Sequence, residues 1–128
     1  MSLKQEHLEA IVVSVLAVNR YPLEKSYSLL PNLRKLGLTD PTKVANANSP
    51  DVMMRLDRAG YHRGLLTEMM AGRLIGLMNA VSEGQLDSLS NMVTKGEKDQ
   101  AKQLLCRMKG IGPQVAADVW MLVTSNAS

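Results

Sequence analysis

Apolar residues recur along the chain at helical spacing. Between Leu3 and Val18, the residues Leu8, Ile11, Val12, Val15 and Leu16 fall on one face, with Glu6 and Glu9 early, where the positive end of a helix favours acid. This predicts a first helix. Tyr21-Pro22 restarts the chain, and Leu23, Tyr27, Leu30, Leu33 and Leu36 sustain a second helical run that Gly37 ends and Pro31 bends or divides. Asp40-Pro41 and Ser49-Pro50 each read as an N-cap followed by proline at the first helical position, giving short helices near 41–47 and 50–58. Gly60 closes the second of these. The next helix is expected from about Arg63 to Val81, with Leu65, Leu66, Met69, Met70, Leu74, Ile75 and Met78 apolar. Gly64, Gly72 and Gly76 share one face of it, and glycine weakens a helix unless the missing side chain is used, so a neighbouring helix is expected to approach closely there. A short helix around Gln85 to Met92, one from Glu97 to Met108 and a last from Pro113 to Thr124 complete the pattern.

Strand signals are absent, and Leu, Ala and Met dominate the apolar set, so the fold class is all-α: one compact multi-helix domain over residues 1–128. The methionines 53, 54, 69, 70, 78 and 121 lie at helical spacing among other apolar residues and read as core filling rather than an adaptable surface. With 45% hydrophobic and 21% charged residues the chain is not a disordered one. The longest apolar run, Ala10 to Val18, is broken by Ser14 and falls short of the roughly 20 residues a membrane helix needs. The polar start is unlike a signal peptide. The single cysteine, Cys106, excludes an internal disulfide and a cysteine-rich zinc site, and it fits a reducing compartment. The expected location is therefore intracellular: cytoplasmic and nucleoid-associated, or nuclear. A net charge of +3 permits a polyanionic partner. His7 and His62 are too far apart to read as a metal pair, and there is no P-loop, dinucleotide fingerprint or serine elbow.

The most informative segment is Met108-Lys109-Gly110-Ile111-Gly112-Pro113-Gln114-Val115-Ala116. Two glycines around one apolar residue make a tight turn, with Ile111 tucked inward. Pro113 opens the next helix without wasting an amide hydrogen, and the remaining free amides of the turn form an anion site indifferent to nucleotide sequence. Ala116 is small where the two helices would cross. Leu105-x-x-Met108-x-Gly110-Ile111-Gly112-x-x-x-Ala116 resembles the helix-hairpin-helix DNA-binding motif, here about residues 97–124. Ala59-Gly60-Tyr61-His62-Arg63, the long helix after it and Leu104-Leu105-Cys106 before the turn extend the similarity to the helix-hairpin-helix DNA glycosylases. Their branch for oxidised guanine is the most similar, and roughly residues 8–124 follow the family order.

The resemblance implies a base-excision-repair type of protein that binds the backbone of double-stranded DNA. The amides of Gly110, Gly112 and their neighbours would meet a phosphate, with Lys109 beside them. Backbone carbonyls of Cys106, Met108 and Ile111 would hold a monovalent cation, Na+ or K+; no other cofactor is required. Asn19 falls where the family places a polar residue that fills the gap left by an extruded base, and Tyr61 where it places an aromatic wedge. Asn19 reads more simply as a cap at the helix end, and Tyr61 equally as half-buried packing after a glycine turn. Arg55, Arg58, His62 and Arg63 around Tyr61, and Lys102, Arg107 and Lys109 near the turn, form two basic clusters. The family's catalytic lysine position holds Gln114, which cannot act as an amine nucleophile, and its aspartate would fall past the last helix, beyond Thr124-Ser125-Asn126-Ala127-Ser128. Asp118 is expected to serve the helix dipole rather than catalysis. The reading is a DNA-binding domain lacking the usual catalytic groups. A monofunctional glycosylase using another acid, and a helical protein-interaction module with an unknown partner, remain as alternatives.

Overall fold

A computed structural model describes residues 3–125; the ends of the expected 1–128 domain, including Asn126-Ala127-Ser128, lie outside the described residues. Those described form helices and turns, with no strand among them: α1 (Gln5–Leu16), α2 (Leu23–Ser28), α3 (Leu30–Lys35), α4 (Pro41–Val44), α5 (Ser49–Ala59), α6 (Leu65–Ser82), α7 (Leu89–Thr94), α8 (Lys98–Cys106) and α9 (Pro113–Ser125). The all-α expectation holds. The helix α1 is buried on every side from His7 to Leu16, so it is the central rod around which α2, α6 and α9 pack. The helices α3 and α4 brace α5 and α6, and α7 and α8 close over α9. The core is one cluster whose fully buried side chains include Ile11, Leu16, Leu33, Leu56, Met70, Leu74, Met78 and Leu105.

Several boundaries differ from the sequence pattern for local reasons. The Leu23–Leu36 run is divided at Leu29, two residues before Pro31, because a proline in the second position of α3 supplies no amide for continuous helix. Asp40 caps α4 as expected, its carboxylate accepting from the Thr42 amide at 2.9 Å. The cap of α5 is Asn48 rather than Ser49, since the Asn48 amide oxygen accepts from the Asp51 amide at 2.9 Å and places Pro50 second in the helix. The expected helix around Gln85 to Met92 begins only at Leu89, after turns. Met70 and Met78 fill the core, but Met54, Met69 and Met121 are exposed, so the core-filling reading holds for only part of the set.

Gly64 is not inside α6; it precedes the first helical residue. Gly72 and Gly76 are exposed, and a β-carbon on either would meet nothing within 4 Å. The expected close helix approach is therefore absent. These two glycines instead floor an open groove.

Candidate functional site

The turn between α8 and α9 carries the site. Met108 donates its amide to Leu105 as α8 ends, and Ile111 donates to the Met108 carbonyl at 3.1 Å, which closes the turn. Ile111 is buried at 5% exposure and Ala116 is fully buried where α8 meets α9. The glycines differ. Gly110 has a φ of +91°, and a β-carbon there would lie 2.7 Å from Cδ of Arg73. Gly112 has no left-handed φ and nothing within 4 Å of where a β-carbon would sit. Internal geometry requires glycine at 110 and not at 112.

Lys109, Gly112, Pro113 and Gln114 are all exposed. The Gly112 carbonyl takes the first helical bond from Ala116 at 3.0 Å, which makes Gly112 the N-cap of α9. The amides of Gly110, Gly112, Gln114 and Val115 donate to no acceptor among the described residues. They surround the positive end of a 13-residue helix that carries no acid in its first turn. The Gln114 side chain reaches along the helix to Asp118, Nε2 donating to Oδ1 at 3.1 Å, so Asp118 is held by a neighbour one turn away rather than by the helix end. Of the three carbonyls expected around a cation, that of Met108 already accepts from Ile111, while those of Cys106 and Ile111 take no backbone amide. Among the described residues no group of three or more His, Cys, Asp or Glu is placed to hold a metal ion.

The second expected contact region is built differently. Tyr61 is fully buried rather than presented as a wedge. Gly60, left-handed at φ +101°, turns the chain after α5, and the Tyr61 amide donates back to the Leu56 carbonyl at 2.9 Å. This is the glycine-closed helix end in which the next residue folds onto the apolar face. The Tyr61 ring stands 5.0 Å from that of Tyr21, and its hydroxyl donates to the Leu16 carbonyl at 2.8 Å. Arg63 also works internally: Nη1 donates to the Val18 carbonyl at 2.5 Å and Nη2 to that of Asn19 at 2.6 Å. The last turn of α1 has no basic residue, so Arg63 and Tyr61 supply from elsewhere in the chain the donors and the charge its C-terminal end lacks. The basic cluster around Tyr61 is thus mostly consumed. Arg55 pairs with Asp51 and the Lys43 carbonyl, and His62 with Asp57 at 2.7 Å.

Asn19 is exposed with φ +59°, in the loop that Arg63 holds. Two residues beyond Arg63, Leu65 is 90% exposed at the start of α6. Leu65 is one of the apolar residues of the helical pattern, and no periodicity signal marks an apolar residue at a helix start as exposed. Arg73, which packs on Gly110, makes no hydrogen bond or ion pair among the described residues, and Arg107 and Lys109 likewise have no acidic partner. Among the described residues no helix is long and apolar enough to cross a membrane. No family model, curated protein or solved structure matches the chain.

Proposed function

We propose that this chain grips double-stranded DNA by its sugar–phosphate backbone, through a helix-hairpin-helix unit formed by α8, the turn and α9. One observation carries the reading: Gly112 is a glycine without internal need, in an exposed turn where four amides are unspent. The absent side chain keeps a flat approach to those amides, the condition for seating a phosphate against backbone. Lys109, Arg107 and Arg73 add charge around the turn. Backbone contact of this kind is sequence-tolerant and weakens as salt rises. The carbonyls of Cys106 and Ile111, which take no backbone amide, would with that of Met108 hold a monovalent cation and so add positive charge beside the phosphate. Base probing falls to Asn19 and Leu65, the exposed pair near the Arg63 clamp, rather than to Tyr61; an apolar leucine is suited to enter a base step. The reading places the protein with DNA, in nucleoid-bearing cytoplasm or a nucleus, and in repair of damaged bases. It assigns no residue here to catalysis.

Gly112→Asp tests it. Aspartate is a favoured N-cap and would accept from the amides that are proposed to take phosphate, so the variant folds while filling the site with its own carboxylate. A duplex shift assay at low salt is expected to lose at least about tenfold in affinity, near 1.4 kcal/mol. Unchanged affinity sinks the hairpin assignment, and binding by neither protein at low salt favours a protein-interaction module.

A further inference from the structure

A groove of about 590 Å³ lies between α6 and the arm of the turn that precedes Gly110. This is within the roughly 300–1,000 Å³ of small-molecule sites. Gly72 and Gly76 form its floor with Leu77 and Ala80, and Met69 and Met108 contribute polarizable thioethers. Arg73, Arg107 and Lys109 line it, and Glu83 and Gln85 complete it at the C-terminal end of α6. Each glycine costs the helix about 1 kcal/mol relative to alanine, and no neighbour needs the space. The methyl group of an alanine would meet nothing at either position, so the cost maintains an open floor. The side chain of Arg73 rests on the backbone of Gly110 and makes no ion pair among the described residues, Glu83 of the same groove included.

The chemistry of this lining asks for two things in one ligand. A flat apolar face suits the glycine floor and the methionine sulfurs, which favour aromatic rings. An anionic end suits three unpaired cations, of which the arginines present planar donor forks matched to phosphate oxygens. Glu83 and Gln85 offer acceptors to ring N–H groups. We infer that this groove is a nucleotide site, seating a base on the Gly72–Gly76 floor and its phosphate among Arg73, Arg107 and Lys109. It goes beyond the backbone grip proposed for the turn amides; it shares the cations Arg73, Arg107 and Lys109 with that contact, while the Gly72–Gly76 floor belongs to the groove alone. A free nucleoside monophosphate and the phosphorylated end of a single strand carry this chemistry equally.

Calorimetric titration of the chain with guanosine 5′-monophosphate, with ribose 5-phosphate and with a short 5′-phosphorylated single-stranded oligonucleotide provides the test. The nucleotide is expected to bind at least about tenfold more tightly than the sugar phosphate. Gly76→Leu, which fills the floor and strengthens the helix, is expected to lower affinity for both base-bearing ligands at least about tenfold, without lowering the melting temperature. Arg73→Gln is expected to lower it about fivefold or more. Tighter binding of the oligonucleotide assigns the groove to a strand end, and tighter binding of the free nucleotide to a diffusible ligand. Equal binding of nucleotide and sugar phosphate, or unchanged affinity in Gly76→Leu, overturns the inference. Duplex affinity measured on the same proteins separates the two proposals: Gly112→Asp is expected to weaken duplex binding at least about tenfold and spare the nucleotide, and Gly76→Leu the reverse.

Discussion

The two glycines of the α8–α9 turn make opposite demands, and alanine at each separates folding from binding. At Gly110 the φ of +91° is closed to L-residues at a cost of about 1–2 kcal/mol, and Arg73 must also move its flexible end aside. Unfolding entropy near 2.1 cal/mol/K per residue gives about 0.27 kcal/mol per kelvin for 128 residues, so Gly110→Ala is expected to lower the melting temperature by about 4–7 °C. At Gly112 the weaker capping by alanine and its reduced unfolded-state entropy nearly cancel, leaving about 0.5 kcal/mol or less and a shift under about 2 °C. Scanning calorimetry reads both numbers. The methyl group of Gly112→Ala intrudes on the surface proposed for phosphate, so duplex affinity is expected to drop about tenfold while stability holds. A loss of stability at Gly112 equal to that at Gly110 would give this glycine an internal purpose and remove the observation on which the DNA reading rests.

Two tyrosines in contact respond differently to losing their hydroxyls. Tyr61→Phe strips the Leu16 carbonyl of its donor and is expected to cost about 1–2 kcal/mol in urea denaturation, whereas the buried Tyr21 hydroxyl has no hydrogen-bond partner among the described residues, so Tyr21→Phe is expected to be neutral or stabilising. His7 sets a pH dependence. Burial, opposed by Glu6 and helped by Lys4, holds its folded pKa below the usual 6.5. The unfolded chain therefore binds more protons, and the stabilisation present above pH 6.5 is lost as pH falls through the folded value. The Ser90 hydroxyl accepts from the Lys4 amide at 2.8 Å and meets Nδ1 of His7 at 2.8 Å, and its one proton satisfies that nitrogen only when the imidazole is neutral. Urea midpoints between pH 7.5 and 5.5 should fall in the parent and flatten in His7→Gln; equal slopes would place the dependence elsewhere.

What the sequence discloses and what it withholds divide along physical lines. Helix type, the inward Ile111, the small Ala116 at a crossing and the Asp40 cap are local properties, decided by periodicity and by residues a few positions apart. The Ser49-Pro50 step points to Ser49 as the cap, but Asn48 caps equally well by residue type, and only the position of the Asp51 amide separates them. Tyr61 was legible in principle: a glycine ending a helix folds an apolar successor back onto the last turn, and that rule outranks an analogy of position. Gly72 and Gly76 were not legible. A same-face glycine pair looks identical whether a helix or open space lies opposite, and only tertiary placement of the 107–109 segment distinguishes them.

The same distinction governs charge. From the sequence, the basic residues near Tyr61 and those near the turn are two clusters with nothing to rank one above the other. Folding spends three of the first four, Arg63 on carbonyls at the end of α1, Arg55 on Asp51 and His62 on Asp57, and leaves Arg58 without a partner among the described residues. Around the second, Arg73 joins from α6, a residue the linear pattern never grouped with Lys109 and Arg107. A guanidinium engaged by carbonyls or a carboxylate has few donors left for a phosphate, while an unpaired one has its full fork. Any anion the chain binds should therefore be sought first at the turn and groove beside Gly110, and the region around Tyr61 read as the brace that holds the Asn19 loop and the start of α6 in place.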